Sequence, residues 1–467
     1  MAVPPPDSLP ARHDRRDARL SRWRLQRPVR AWAAARVLDH GVHDPAFRTL
    51  IQQIDDAPLH VAPPVRLLSD GAEAFARMHE AMAAAREEIL LETYILRDDR
   101  LGAAVQVALA SAAQRGVRVC VLADAVGSIA TADRFWSLLE KSGVQVRHFH
   151  RVWHHPFEAL RRDHRKLLVI DRTIAFTGGM NIGEEYGSSI RQHHDAWRDT
   201  FVEVHGSVAR ELAAVFAEGW DRARGPALPG LAYVSWSEGI VRPPGARPFG
   251  ARALQTIVKR TLAKRRRGRR VRRVPDATLA PADGETMAFV IDSRPGRGER
   301  ETLSVLAALV GAARERLWIT TPYFAPPTQA LRLLVLAAQR GVDVRLLLPS
   351  ERTDVPLVRH AAHGAYAMLL RAGVQIFEYQ RATLHAKTLV VDGYASLIGS
   401  SNLDFRSLWL NAECNVLLLD SACGAAMERT FLDDLSDSVA ITSQKWSERT
   451  LGHRILDRVA RGLRWAL

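Results

Sequence analysis

Two short stretches, DHRKLLVID at residues 163–171 and LHAKTLVVD at residues 384–392, decide the fold of this chain. In both, a histidine and a lysine stand two positions apart at the start of an apolar, β-prone run. Side chains two positions apart on a strand point to the same face, so each pair can meet one ligand. The pattern predicts a buried strand whose exposed end carries the polar pair. The four residues are His164, Lys166, His385 and Lys387.

A longer unit surrounds each stretch and occurs twice in the same order. AQRGV at residues 113–117 recurs at residues 338–342, and GVQV at residues 143–146 recurs as GVQI at residues 373–376. Each copy alternates apolar, strand-like runs with helical runs rich in Ala and Leu, which is typical of βαβ units. The repeat predicts an α/β fold made of two similar domains.

The chain of 467 residues is long enough for two domains with separate cores. A stretch dense in Pro, Gly and Arg lies between the copies and predicts a linker or insertion there. The predicted divisions are a basic N-terminal segment at 1–60, a first domain at 61–223, a basic linker or insertion at 224–298, a second domain at 299–440 and a C-terminal amphipathic segment at 441–467.

The net charge of +14 is concentrated, since residues 259–273 hold ten basic residues and no acidic one. Such a run attracts nucleic acid or an anionic membrane leaflet, or is a solvated linker without a specific partner. Arginines interleaved with Trp23 and Trp32 in residues 1–39 suit a lipid interface or a basic tail. The amphipathic stretch 454–467 can lie on a membrane or dock on the core, and we favour docking.

The cysteine and hydropathy patterns exclude several classes of protein. Three widely spread cysteines without the spacing of metal ligands argue against a disulfide framework or a zinc site, and they fit a reducing compartment. The first residues have no signal-peptide core, and the later apolar runs are too short to span a bilayer. We expect any membrane contact to be peripheral.

Residues that follow each motif complete two candidate phosphate sites. The small residues in GGMN and GSSN allow a close backbone approach, and their Asn or Ser side chains can donate to phosphate oxygens. The candidate substrate-binding residues are Gly179, Asn181, Ser400 and Asn402. Asp171 and Asp392 stand seven positions beyond the histidines, an odd spacing that turns them away on a straight strand. That spacing predicts a structural role, with bonds to backbone amides of the turn that follows.

Two histidines and two lysines suit a reversible displacement at phosphorus. One histidine can act as nucleophile and the other as proton donor and then base, while the lysines neutralise the non-bridging oxygens, so no divalent metal is required. Each ring also needs an acceptor on its second nitrogen. Asp199, 35 residues after His164, and Glu413, 28 residues after His385, are the candidates in their own copies, unless they are surface carboxylates at a strand edge.

These motifs resemble the HxKxxxxD signature of the phospholipase D superfamily, and the resemblance extends over nearly the whole chain from about Arg66. Residues 385–416 and 164–182 look like the two signatures of bacterial cardiolipin synthases. The resemblance implies two phospholipase D-like domains, each a mixed β-sheet flanked by helices, with the active site at their interface. Many such synthases begin with two membrane-spanning helices, and this sequence is similar to the shorter type without them.

The same resemblance implies a set of catalytic residues. They are the nucleophile His164, the general acid and base His385, the phosphate-binding Lys166 and Lys387, the ring-orienting Asp199 and Glu413, and the motif aspartates Asp171 and Asp392. The roles of the two histidines could be exchanged.

The implied reaction moves a phosphatidyl group from one phosphatidylglycerol to another, releases glycerol and uses no cofactor. It would take place on the cytoplasmic face of the bacterial cell membrane, with anionic phospholipids as partners. A hydrolytic phospholipase D, or a nuclease or other phosphodiesterase of the same superfamily, is the alternative. Nucleic acid is the less favoured substrate, because short nucleases of the family carry one motif and dimerise, whereas this chain carries both.

Overall fold

The computed structural model describes residues 27–55, 57–149, 161–190, 196–231, 233–234, 241–242, 285–293, 301–448 and 457. The basic run 259–273, the first 26 residues and nearly all of the amphipathic stretch 454–467 lie outside the described residues.

The strands, numbered in chain order, are β1 (His60–Ala62), β2 (Arg66–Leu68), β3 (Glu88–Thr93), β4 (Arg118–Asp124), β5 (Gln145–Phe149), β6 (Leu167–Ile170), β7 (Ile174–Gly178), β8 (Phe201–His205), β9 (Tyr233–Val234), β10 (Val241–Arg242), β11 (Thr286–Ser293), β12 (Arg316–Thr320), β13 (Phe324–Ala325), β14 (Asp343–Pro349), β15 (Gln375–Tyr379), β16 (Thr388–Val391), β17 (Ala395–Gly399), β18 (Leu403–Asp404), β19 (Glu413–Leu419) and β20 (Ser438–Ile441). The helices are α1 (Arg27–Arg36), α2 (Pro45–Asp55), α3 (Gly71–Ala84), α4 (Arg100–Gln114), α5 (Asp133–Lys141), α6 (Glu184–Gly187), α7 (Ser207–Arg222), α8 (Glu301–Ala312), α9 (Thr328–Gln339), α10 (Pro356–Arg371), α11 (Phe405–Trp409), α12 (Ser421–Ser436) and α13 (Ser443–Ser447).

Two large sheets repeat one strand order. In the described part of the chain, the first sheet runs β2-β8-β7-β6-β3-β4-β5, and the second contains the matching series β11-β19-β17-β16-β12-β14-β15, flanked by β1 and β20. The strand after each His/Lys motif, β6 or β16, pairs antiparallel with β3 or β12. On the other side of β3 lie β4 and β5, and on the other side of β12 lie β14 and β15, all in parallel pairing. The prediction of two similar α/β domains with mixed sheets is confirmed.

The repeated AQRGV and GVQ motifs are the turns that lead from a helix into a parallel strand. Each places a glycine in the left-handed region just after the helix, with φ of 89° at Gly116 and Gly341, 93° at Gly143 and 92° at Gly373. A left-handed residue closes the helix end, and residues with a Cβ are strained in that conformation. The turn geometry therefore explains why the motif recurs in both copies.

Three large clusters of buried apolar residues form most of the core in the described part of the chain, and one of them joins the two sheets. Helices α3, α4 and α5 cover the outer face of the first sheet, and α8, α9 and α10 cover the outer face of the second. A third cluster joins apolar residues of both inner faces with residues of α7 and α12. Because one continuous apolar core connects the domains, they are held in a fixed orientation around whatever lies between them.

Three predicted divisions of the chain differ from the structure. Strand β1, at the start of the predicted first domain, pairs with β11 of the second sheet. Strand β11 itself lies in the predicted linker, as a short apolar run between segments rich in Pro, Gly and Arg, so the second domain begins earlier than predicted. Strand β20 and helix α13 continue the second domain into the predicted C-terminal segment.

The described part of the N-terminal segment packs on the second domain. Gly311 of α8 has no side chain, and α1 lies so close to it that a Cβ there would come within 2.6 Å of the Trp32 carbonyl oxygen. The Arg314 side chain donates to the carbonyl oxygens of Arg36 and Leu38. The partly buried Trp32 side chain packs against the core of the second domain. Among the described residues, no helix combines the length and apolarity needed to cross a bilayer.

Candidate active site

The two His/Lys pairs lie at the interface of the domains, immediately before β6 and β16. Their four side chains are buried, with exposed fractions between 2% and 7%. The prediction of a polar pair at the exposed end of a strand is therefore wrong, because the end of each strand is covered by the other domain. The candidate active site does lie between the domains, and it is enclosed by them.

Backbone bonds cross the interface at two equivalent places. The backbone N–H of His164 donates to the Ala412 carbonyl at 2.9 Å, and Ala412 N–H donates to the Arg162 carbonyl at 2.8 Å. At the second place, the N–H groups of His385 and Ala386 donate to the Arg198 carbonyl at 2.8 and 3.1 Å. Each motif is thus paired with the segment that precedes the acidic residue of the other copy.

This pairing exchanges the carboxylates between the two histidines. His164 Nδ1 lies 3.1 Å from Glu413 Oε2, and His385 Nδ1 lies 2.7 Å from Asp199 Oδ2. Both carboxylates are fully buried. The two residues are the predicted ring partners, but the expectation that each acts within its own copy is wrong. Because an ionised carboxylate only accepts hydrogen bonds, each ring carries its proton on Nδ1 and keeps the Nε2 lone pair for chemistry.

The two lysines are not placed alike. Lys387 Nζ lies 2.7 Å from Nδ1 and 3.1 Å from Nε2 of the His385 ring, and 4.0 Å from Asp199. Lys166 Nζ donates to the His164 carbonyl oxygen at 2.5 Å and lies over the Tyr94 ring, 5.4 Å from its centroid. The ammonium group of Lys387 therefore contacts both nitrogens of the His385 ring, and Lys166 makes no corresponding contact with the His164 ring.

Burial lowers the pKa of every base in the site. It lowers the pKa of His385 to about 4, with a further contribution from the charge of Lys387. The pKa of His164 is also lowered, by burial and by Lys166. Burial brings the pKa of Lys166 to about 7 and that of Lys387 to about 8. The histidines are thus neutral near pH 7, and an incoming phosphate would raise all four pKa values by adding negative charge.

The motif aspartates lie away from this cluster. Asp171 accepts hydrogen bonds from the backbone N–H groups of residues 86–88 at 2.7–2.9 Å, and Asp392 does the same for residues 314–316 at 2.8–2.9 Å. These N–H groups lie at the starts of β3 and β12. The prediction had placed them in the turn that follows each motif. Asp171 and Asp392 come directly after β6 and β16, at the ends far from the His/Lys pairs. Their assignment to the catalytic residues is therefore corrected to a structural role.

Three of the predicted phosphate contacts have other partners. A Cβ on Gly179 would come within 2.1 Å of Asp199 Oδ1, so the glycine makes room for that carboxylate. At the equivalent position, the Ser400 hydroxyl donates to Glu413 Oε2 at 2.5 Å. Asn181 bonds the Ile95 N–H and the Tyr186 hydroxyl. These three residues brace the site.

Asn402 differs from its counterpart. Among the described residues, its buried Oδ1 has no hydrogen-bond partner. Asn402 and Lys387 together line a small pocket, whose wall also contains apolar side chains of the second domain. Substrate contact stays a prediction for Asn402 alone.

Sequence reasoning missed the aromatic walls and the ion pairs of the site. The Tyr94 ring lies 5.0 Å from His164, and the Tyr323 ring lies 6.2 Å from His385. Tyr94 comes directly after β3 and Tyr323 comes three residues after β12, so a tyrosine close behind the corresponding strand of each copy was the signal in the sequence. Arg165 pairs across the interface with Asp292, which no local pattern indicates.

The fold is duplicated, and each half supplies a histidine, a lysine and a carboxylate to one buried site. This arrangement defines an enzyme that exchanges phosphodiester bonds at a site made of two halves. The family model for "Cardiolipin synthase, PLD-like domain" matches residues 78–220 and 306–435. The cardiolipin synthase of Geobacillus sp. (strain WCH70) is 31% identical over 435 residues, covering 92% of this chain and 78% of its own length.

Two further proteins are similar. Cardiolipin synthase A of Pseudomonas syringae pv. syringae (strain B728a) is 33% identical over 403 residues, covering 85% of this chain and 74% of its own. The crystal structure of phosphatidylserine synthase from Haemophilus influenzae Rd KW20 matches the fold with a TM-score of 0.65 at 14% identity, covering 90% of this chain and 100% of its own. The chain belongs to the cardiolipin synthase family of phospholipase D-like proteins and is a phosphatidyltransferase.

Proposed function

We propose that the enzyme converts two molecules of phosphatidylglycerol into cardiolipin and glycerol through a phosphohistidine on His164. The observation that carries this proposal is the crossed pairing of two buried histidines with Asp199 and Glu413. It gives two rings of fixed tautomer in one enclosed site, as a two-step displacement needs. Cardiolipin is proposed as the product because the similar proteins are named cardiolipin synthases.

In the first step, His164 Nε2 attacks the phosphorus of one phosphatidylglycerol. A P–N bond forms, the P–O bond to the glycerol headgroup breaks, and protonated His385 gives its proton to the departing oxygen. The negative charge that Glu413 places beside His164 stabilises the ring as it becomes cationic. Lys166 and Lys387 neutralise the non-bridging oxygens.

In the second step, neutral His385 removes the proton from a glycerol hydroxyl of the second phosphatidylglycerol. The freed oxygen attacks phosphorus, the P–N bond breaks, and its electron pair returns to His164. One phosphodiester is lost and one is formed, so no external source of energy is needed.

The lysine geometry supports His164 as the nucleophile. Lys387 Nζ lies 2.7 Å from Nδ1 and 3.1 Å from Nε2 of the His385 ring, so its positive charge contacts that ring and makes its nitrogens less basic. The His164 ring has no such contact with Lys166, whose Nζ donates to a backbone carbonyl. A ring that exchanges a proton tolerates a neighbouring donor better than a ring that must form a bond to phosphorus.

Burial supports transfer over hydrolysis. Both histidines are at least 93% covered, and the rings of Tyr186 and Trp197 lie 5.3 and 5.2 Å from His385. Apolar walls that exclude water let an alcohol resolve the intermediate. The net charge of +14 suits a peripheral enzyme on an anionic leaflet, and we propose the cytoplasmic face of the bacterial membrane as its location.

The test is incubation of the purified protein with vesicles of phosphatidylglycerol labelled in the phosphatidyl part, followed by analysis of lipid and protein. We expect cardiolipin and one equivalent of glycerol per cardiolipin from the native chain, and none from His164→Ala. The surface histidine variant His79→Ala is the matched control, since His79 is exposed on α3.

Rapid denaturation in detergent at mildly alkaline pH, which preserves the acid-labile P–N bond, separates the two histidines. The label should remain on the protein in His385→Ala when a phosphatidyl donor with an activated leaving group is used, and peptide mapping should place it at His164. Phosphatidic acid as the sole product would show a hydrolase. Absence of any lipid product from well-folded protein would overturn the lipid assignment.

A further inference from the structure

A second cluster of histidines and a carboxylate lies on α10, outside the active site. We propose that His360, His363 and Asp457 form a site for a zinc-class divalent metal ion that fastens the C-terminal segment to the second domain. His360 and His363 stand three positions apart on α10, so they share one face of the helix. Asp457 comes from almost a hundred residues further along the chain.

The ligand atoms already converge. His360 Nδ1 lies 3.0 Å and His363 Nδ1 lies 3.2 Å from the same atom, Oδ1 of Asp457. One ligand atom from each of the three residues fits within 4.8 Å of the others. Tetrahedral zinc with bonds of about 2.0–2.1 Å holds its ligand atoms about 3.3 Å apart, so small side-chain movements suffice.

An outer carboxylate is in place for one of these histidines. His363 Nε2 lies 3.4 Å from Glu378 Oε1, and the Tyr366 hydroxyl donates to the same oxygen at 3.2 Å. Arg359 pairs with the other oxygen of Glu378 at 3.1 Å. A histidine that binds a metal through one nitrogen usually donates its other N–H to a carboxylate, which fixes the ring.

The donor pattern of the cluster fits a bound metal ion. With a metal ion between the three residues, both rings are neutral, Nδ1 uses its lone pair on the metal and Nε2 of His363 still donates. His363 and Asp457 are buried beside the Trp446 ring, which limits access of water.

This site was not predicted from the sequence, because metal sites are recognised there by closely spaced ligands and by cysteines. Two of these ligands are one helical turn apart and the third is distant, so only the folded chain brings them together. The site lies in the second domain, on the helix whose first turn follows Asp354, the partner of Tyr323 in the active site. A metal ion there would bind the first half of α10 without touching the reacting groups.

The experiment is a titration of chelator-treated, full-length protein with Co²⁺, followed by its visible d–d absorption, and then displacement by Zn²⁺. The variants are His360→Ala and Asp457→Asn, the second of which keeps the size of the side chain. His79→Ala and Asp433→Asn, both at exposed positions, are the matched controls. Thermal melting without metal verifies that each variant folds.

We expect the native chain and both controls to bind one Co²⁺ equivalent that the two site variants lose or bind at least tenfold more weakly. Zinc should raise the melting temperature of the native chain and the controls, and not that of the site variants. The proposal is overturned if the folded site variants bind as many equivalents as the native chain with the same spectrum and affinity.

Discussion

Replacing Asp199 by asparagine separates the crossed arrangement from one in which each histidine uses the carboxylate of its own copy. The lost contact joins Asp199 Oδ2 to His385 Nδ1 at 2.7 Å, and both groups are buried. A hydrogen bond to a charged group contributes about 1.5–3 kcal/mol. Since about 1.36 kcal/mol corresponds to a factor of ten in rate, steps that depend on His385 should slow by about 10- to 150-fold.

The assay uses two donors that differ in their need for a general acid. In the proposed mechanism, departure of glycerol requires a proton from His385, whereas 4-nitrophenolate leaves phosphatidyl-4-nitrophenol without one. Asp199→Asn should therefore slow turnover of phosphatidylglycerol but leave the first burst of nitrophenolate nearly intact. Glu413→Gln weakens His164 itself, so it should reduce the burst and the turnover of both donors.

Peptide mapping of the trapped intermediate completes the test. If the label is on His164 and Asp199→Asn nevertheless abolishes the burst, Asp199 serves His164 and the crossed arrangement is refuted. If the label is on His385 and the two variants exchange their behaviour, the crossing holds but the proposed roles of the histidines are reversed.

The remaining predictions concern charge, space and stability. The pKa of Lys166 is about 7, so its charge is present below that pH and lost above it, and the KM for soluble, short-chain phosphatidylglycerol should rise between pH 7 and pH 9. Gly179→Ala would put a Cβ 2.1 Å from the Asp199 carboxylate, and kcat should fall at least tenfold with the burst pattern of Asp199→Asn. Arg165→Met removes the buried guanidinium group that pairs with Asp292 and should lower the free energy of unfolding, measured in urea, by about 3–5 kcal/mol. Arg100→Met, at an exposed ion pair, should lower it by less than about 1 kcal/mol.

The fold was largely predictable because its duplication is written in the sequence. The AQRGV and GVQ motifs recur since a left-handed glycine is needed wherever a helix turns into a parallel strand. Strand β11 was missed because its flanks resemble a linker, and β1 was assigned to the wrong domain because strand pairing over more than 200 residues leaves no local pattern.

The site was predictable in its residues and less so in its connections. His164, His385 and their two carboxylates were identified from chemistry that each motif needs. Which carboxylate serves which ring depends on bonds between segments of different domains, such as that from His164 N–H to the Ala412 carbonyl. Burial of the four basic side chains also arises only when the domains close on each other.

The exchange of carboxylates has a consequence for a chain that is still being made. Residue 62 of β1 is synthesised 224 residues before its partner strand begins at residue 286, about 10–45 s earlier at ordinary rates of translation. His164 obtains its proton acceptor only when Glu413 has left the ribosome. A nascent chain that ends before Glu413 lacks the carboxylate that the proposed nucleophile needs, so the proposed attack on membrane lipid can begin only after that residue has been added.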